Sequence, residues 1–342
     1  MTLEERHFGT LDDGREVTEF LLGSQDGPQL RLLDLGAAVH GFRLRGDDPE
    51  TETVVGFSTL ARQQEATSAY FGAVVGRYAN RIAKASFELD GVRHHITANE
   101  GSTALHGGTE GFSSQVWLVA DRGDDFITFR LVSPDGDQGF PGELRALATY
   151  RLVADGFRLE LSATTDAPTI CCLTSHTYLN LASRGTAEEH LLLVEADQFV
   201  PIDQDSIPLG SLADVADTPM DLRSPTRIAE RVREEDEQIA LAHGIDHSFE
   251  IRGTGMRRHA RLECPATGRA MELHSDQPAL QVYTGNFLDG SWIPASGQRL
   301  RQGDAVALEP QQHPDSPNQD WGRSAVLRPG ETWHNTIEWR FS

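Results

Sequence analysis

Residues 149–163, TYRLVADGFRLELSA, decide the fold. Two short runs, 149–153 and 157–163, flank the turn signal Ala154-Asp155-Gly156. In Phe157-Arg158-Leu159-Glu160-Leu161, apolar and polar residues alternate. Successive side chains of a strand point to opposite faces. This period therefore sets one face on a core and the other in water. The stretch predicts a β-hairpin.

The same pattern recurs outward in both directions. Residues 87–89 and 92–97 flank Asp90-Gly91, a two-residue hairpin signal. Residues 261–264 and 269–274 flank a turn over 265–268, and 126–132, 305–308 and 336–341 also read as strands. Helical signals are few. Residues 59–66 predict a short helix, and Ser224-Pro225 reads as an N-cap with proline at the first helical position, ahead of Ile228 and Val232 on one face. Strand–helix alternation is missing, which disfavours a doubly wound or barrel α/β fold. With no Pro/Gly/Ser-rich linker and no evident repeat, the expectation is an all-β chain. It forms one large antiparallel β-sandwich, a single domain over 1–342, with a few short helices.

Charge narrows the partners. The 342 residues carry a formal net charge of -22. Nucleic acid needs clustered Lys and Arg, and an anionic membrane repels such a surface, so neither is expected as a partner. No apolar run approaches the ~20 residues that span a bilayer. The N-terminal MTLEERHFGTLDDG is charged and lacks the apolar core of a signal peptide. Cys171, Cys172 and Cys264 are odd in number and form no CxxC pair, so neither a disulfide framework nor a structural zinc site is expected. These features predict a reduced, cytoplasmic protein. Its oligomeric state, monomer or homodimer, stays open.

Several segments break the alternation and concentrate polar residues among glycines, the composition of ligand-binding loops on a rigid scaffold. They are GRYANRI from Gly76, LHGG from Leu105, TSHTYLN from Thr174, GIDH from Gly244, QVYTGNFLDG from Gln281 and LEPQQHPDSPNQ from Leu308. Read alone, each has a plainer meaning. His106 shapes a turn, His176 is a satisfied core histidine, Arg81 is half of a buried ion pair, and Glu309 ends a solvent-facing strand. A P-loop, a GxGxxG after a strand, a GxSxG elbow and HExxH are all absent. The histidines form no recognisable metal-binding motif, although two of them could converge with Asp246 and Glu309. No cofactor and no metal is expected.

Taken together and in this order, the segments resemble the aldose 1-epimerase (galactose mutarotase) family. The resemblance begins near Leu33-Asp34-Leu35-Gly36-Ala37 and runs to LRPGETW, nearly the whole chain. One such motif is moderately specific, whereas six in order are highly specific. The resemblance implies the mutarotase-like supersandwich fold and an isomerase that interconverts the α and β anomers of hexoses such as galactose and glucose.

The family's site is carried over position by position. The histidine of its TNHxYFNL motif falls on His176, the general acid, and the glutamate of LExQ on Glu309, the general base. The Asn-Arg pair of ANRI falls on Asn80 and Arg81, the histidine of LHGG on His106, the aspartate of G-[FI]-D-H on Asp246, and the glutamine before YTGN on Gln281. With Thr177 and Tyr178 of the histidine motif, these are the expected sugar-binding residues. Ser175 stands where the family has asparagine and Leu179 where it has phenylalanine, and Cys171 and Cys172 replace small or polar residues.

The residue types suit the chemistry. Exchanging anomers takes a base to remove the proton from the C1 hydroxyl and an acid to protonate the ring oxygen. A carboxylate and an imidazole fill those roles near neutral pH. Two rivals remain. A hexose-6-phosphate epimerase needs arginines at the distal end of the sugar, and Arg77 is the nearest companion to Arg81. A non-catalytic sugar-binding protein of the same fold has no need of both Glu309 and His176.

Overall fold

The computed structural model describes residues 2–342. A nine-stranded sheet runs in the spatial order Leu118–Arg122, Phe126–Ser133, Leu144–Val153, Gly156–Thr165, Trp333–Phe341, Arg269–Ser275, Arg257–Cys264, Leu191–Val194, Thr226–Arg227. A six-stranded sheet runs Tyr178–Leu179, Val306–Gln311, Ala279–Tyr283, Asp246–Ile251, Ala196–Val200, Ala213–Asp214. The first four strands, Thr2–Thr10, Glu16–Gly23, Gln29–Leu33 and Ala38–Arg43, form a sheet of their own. One apolar cluster joins all three. Phe20 and Phe42 come from the N-terminal sheet, Phe129, Leu159 and Trp339 from the large sheet, and Leu280, Val306 and Leu308 from the six-stranded one. The expected antiparallel β architecture is what the chain adopts.

The opening hairpin shows why. Strand Leu144–Val153 pairs with Gly156–Thr165, and Phe157, Leu159, Leu161 and Ala163 are buried while Glu160 is exposed. Phe157 stacks on Trp339 at 4.5 Å between ring centroids, an offset arrangement that large cores favour. On the outer face Arg158 bonds Glu338 on the neighbouring strand at 2.9 Å. The turn is shorter than the sequence reading. Val153 pairs directly with Gly156, so Ala154-Asp155 alone make the loop. Gly156 serves close approach rather than turn conformation, because an added Cβ would sit 1.8 Å from the carbonyl oxygen of Trp339. At the other predicted hairpin, Asp90 and Gly91 take φ of 51° and 78°. Both are left-handed, as a type I′ turn requires.

The helices are short. Leu60–Glu65 forms where expected, with Thr59 as its N-cap accepting from the Arg62 N–H. The second helix departs from expectation and spans only Ile228–Arg231. Thr226 and Arg227 are drawn into a β-ladder with Leu192 and Leu191, so Ser224-Pro225 precedes a strand rather than capping a helix. A third, Glu237–Ala242, carries an Asp236 N-cap. Among the described residues no helix is long and apolar enough to cross a membrane. Cys171, Cys172 and Cys264 are buried and unpaired.

The six-stranded sheet differs from the large one in a way that matters for function. Ala279–Tyr283 and Val306–Gln311 are buried along their whole length, so both faces are covered. One face is core, with Leu280, Val282, Val306 and Leu308. The other carries polar side chains inside the protein. Glu309 lies there, 2% exposed and inside a strand. Strand-end exposure, its plain sequence reading, is overturned. The carbonyl of Pro310, the residue that argued for a strand end, accepts from Thr174 Oγ1 at 2.8 Å and Asn335 Nδ2 at 2.9 Å.

Candidate active site

Register builds the floor of the site. Ser248 pairs with Gln281 and Gln281 with Glu309, giving one row across three strands. Asp246, Tyr283, Ala307 and Tyr178 make the adjacent row. Residues in register, and residues two apart along a strand, share a face. Residues distant in sequence therefore meet on one polar surface.

Loops supply the wall. His176 is clamped by its backbone, its N–H donating to Ala73 O and its carbonyl accepting from Gly72 N, each at 2.9 Å. Asn80 and His106 hold each other. The His106 N–H donates to Asn80 O, and the Asn80 N–H donates to His106 Nδ1, both at 3.1 Å. Asn80 has φ of 64°, a left-handed conformation that asparagine tolerates, and its Oδ1 accepts from the Arg81 N–H at 2.7 Å. Tyr70 packs over both imidazoles, 4.5 Å from the His106 ring and 5.9 Å from the His176 ring.

These walls enclose a cavity of about 230 Å³ that Asn80, Arg81, His106, His176, Tyr178, Asp246 and Glu309 line together. That volume suits a small polyhydroxylated ligand. At its floor Glu309 Oε1 lies 3.7 Å from His176 Nε2. The other carboxylate oxygen, Oε2, is buried without a protein partner. An unpaired buried acceptor awaits a donor.

Two expected residues stand elsewhere. Thr177 follows His176 in the short connection between strands Thr174–Ser175 and Tyr178–Leu179. It does not line the cavity, and its Oγ1 meets Ser175 Oγ at 2.8 Å. Gln281 lies behind Asp246, to which its Nε2 donates at 2.6 Å. Tyr70, Glu100, Tyr283, Phe287 and Trp292 line the cavity without having been singled out. Tyr283 and Phe287 lay within a flagged segment, whereas nothing local marks Tyr70, Glu100 or Trp292 as site residues.

Burial sets the electrostatics. It pushes His176 down to about 4, so the ring is neutral at pH 7. It pushes Glu309 well above the usual carboxylate range, reinforced by the Asp246 carboxyl and opposed by Arg81. Asp246 is also raised by burial, against the pull of Arg81 and the Gln281 amide. Burial, and then the neighbouring His176 and Arg81, hold His106 well below its ordinary value. Burial thus drives both members of the 3.7 Å pair toward their neutral forms, the state in which the pair holds one proton. A proton on Glu309 with a neutral His176, and an ionised Glu309 with an imidazolium, are two tautomers of that state.

One potential ligand atom from each of His106, His176 and Glu309 falls within 4.8 Å of the others. The set fits a metal poorly. His106 Nδ1 accepts a backbone N–H, so the neutral ring carries its proton on Nε2 and has no lone pair left to coordinate. It fits a hydrogen-bond donor to a ligand hydroxyl well. Arg77 belongs to none of this. Its guanidinium donates to the carbonyls of Ser133, Pro134, Pro141 and Gly142.

Known proteins share this arrangement of sheets. The structure of galactose 1-epimerase from Lactobacillus acidophilus NCFM superposes with a TM-score of 0.88 at 26% identity, covering 100% of this chain and 98% of that one. The GalM/aldose epimerase homologue from C. elegans gives 0.85 at 29% identity, covering 94% and 98%. In sequence, galactose mutarotase of Bos taurus is 35% identical over 98% of this chain and 97% of its own length. Aldose 1-epimerase of Escherichia coli K12 is 34% identical over 96% of each. The family model for aldose 1-epimerase matches residues 19–340. With that match over almost the whole chain, and with relatives this similar along their full length, the chain belongs to the aldose 1-epimerase family.

Proposed function

We propose that this protein is an aldose 1-epimerase that interconverts the α and β anomers of a hexose such as galactose or glucose, acting as a single domain in the cytoplasm. The convergence of Glu309 and His176, 3.7 Å apart on the floor of one cavity, carries the reading. Three unpaired cysteines suit a reducing compartment.

In the starting tautomer Glu309 is ionised and His176 carries the proton. Glu309 takes the proton from the C1 hydroxyl while His176 gives one to the ring oxygen, and the C1–O5 bond breaks. This leaves the protonated acid and neutral imidazole that burial prefers. The aldehyde turns about C1–C2. For reclosure His176 recovers the O5 proton and Glu309 returns one to O1, which gives the other anomer and restores the enzyme. The two reacting oxygens share one carbon, so two groups this close can address both. Asn80, Arg81, His106, Tyr178 and Asp246 hold the hydroxyls, and Gln281 acts indirectly by holding Asp246. Each proton transfer contributes about 10²–10⁴-fold in rate.

Polarimetry on freshly dissolved α-galactose and α-glucose tests the reading. Glu309→Gln is expected to abolish catalysis while sugar binding persists. Near wild-type rates in that variant refute the assignment.

A further inference from the structure

Glu100 is the one cavity-lining acid that the mechanism leaves unused. It grips Arg81 with both oxygens, Oε2 to Nε at 2.6 Å and Oε1 to Nη2 at 2.9 Å. That parallel two-bond geometry is the one arginine offers to a ligand's carboxylate or phosphate. The fork is therefore already occupied by the protein. On its other side Arg81 Nη1 lies 3.8 Å from Asp246 Oδ2, so the guanidinium stands between two carboxyl groups. Arg81 is the one arginine among the cavity-lining residues.

Placement adds to this. The Arg81 side chain is 10% exposed, whereas that of Glu100 is 42% exposed. Glu100 lines both the inner cavity and an adjoining outer cleft of about 400 Å³, where Asp205 is a second acid. The mouth of the site is thus acidic on the side where Arg81 is covered. The turn that carries Glu100 is itself fixed. The Glu100 and Thr103 backbones bond each other, and Asn99 Oδ1 accepts from the Leu105 N–H at 2.7 Å, next to His106.

We infer that Glu100 is a specificity-determining residue, one that reserves the site for neutral aldoses and turns away sugars bearing a carboxylate or phosphate. The inference rests on the epimerase reading. It acts twice. Glu100 withholds the guanidinium that would pair with a ligand anion, and its own charge opposes an anion at the mouth. A repulsive element of this kind discriminates without any added contact to the favoured ligand. A hydroxyl meets neither obstacle, because it carries no charge and bonds donors and acceptors alike.

The test compares initial mutarotation rates of galactose with galacturonate, and of glucose with glucose 6-phosphate. Wild type, Glu100→Gln and Asp205→Asn are each assayed at low and high salt. Wild type is expected to favour the neutral member of each pair. In Glu100→Gln the neutral-over-anionic ratio of kcat/KM should fall by about tenfold, chiefly through a lower KM for the anionic sugar. High salt should raise the wild-type rate on the anionic sugar and raise it less in the variant, since salt screens a charge only where one is present. An unchanged ratio with neutral turnover retained overturns the inference, as does a wild type that does not discriminate. If Glu100→Gln loses all turnover, Asp205→Asn and the wild-type salt series decide, and the absence of any change in ratio or salt response overturns it. If wild type turns over no sugar, the epimerase reading fails. Calorimetric binding of galacturonate then judges Glu100 separately, and equal affinity in wild type and variant overturns its role.

Discussion

His176 Nε2 and Glu309 Oε1 lie 3.7 Å apart, beyond hydrogen-bonding distance yet near enough to serve two oxygens on one carbon. No bond between them has to break before a sugar enters. Burial drives both toward neutrality, and this has a consequence for pH. In the proposed mechanism activity requires one proton in the pair. As pH falls through the depressed value of His176, about 4, a second proton arrives and no base remains. As pH rises past the elevated range of Glu309, the last proton leaves and no acid remains. The acid limb of kcat/KM should therefore centre nearer 4 than the ordinary 6.5 of histidine. Polarimetric rates across a buffered pH series check this, and an acid limb near 6.5 refutes it.

His106→Asn should raise KM and lower kcat together. The ring is locked by the Asn80 N–H so that Nε2 donates into the cavity, and asparagine cannot reproduce both bonds at that reach. Losing one well-placed hydrogen bond to a ligand costs about 0.5–1.5 kcal/mol. The expected loss in kcat/KM is about threefold to tenfold, larger if the Asn80 loop relaxes. An unchanged KM would remove His106 from the binding set.

Thr177→Val separates position in a motif from position in space. Thr177 faces Ser175 at 2.8 Å and not the cavity. The substitution should leave KM for galactose unchanged. It should lower stability by about 1 kcal/mol through the lost hydroxyl bond. Saturation kinetics and thermal unfolding read the two effects independently, and a raised KM with unchanged stability would return Thr177 to the sugar.

Trp339→Ala should destabilise the fold by about 3–5 kcal/mol, the range for deleting a large aromatic from a packed core. Trp339 is fully buried and stacks on Phe157 from the neighbouring strand of the large sheet. Denaturant unfolding measures the change. Because the residue is not among those lining the cavity, the folded fraction should keep its KM.

The chain alone determined a good deal. Alternation at 157–161 announced a strand with one wet and one buried face, and Asp90-Gly91 announced a tight hairpin, because both signals are local properties of backbone and side chain. The motif order carried the family and its polar residues for the same reason. Tertiary structure decided the rest. Glu309 looked like a strand end and proved to be interior, because its strand runs on to Gln311 and is buried along its whole length. Ser224-Pro225 looked like a helix start, yet Thr226 and Arg227 found a partner strand, since pairing across the chain outweighs a local cap. Thr177 meets Ser175, and Gln281 stands behind Asp246, which only the side-chain contacts of the folded protein reveal. Glu100 meets Arg81, nineteen positions away in the chain, only in the folded protein. Which side chains share a cavity depends on how strands align and layers stack, and those are long-range contacts that no single segment encodes.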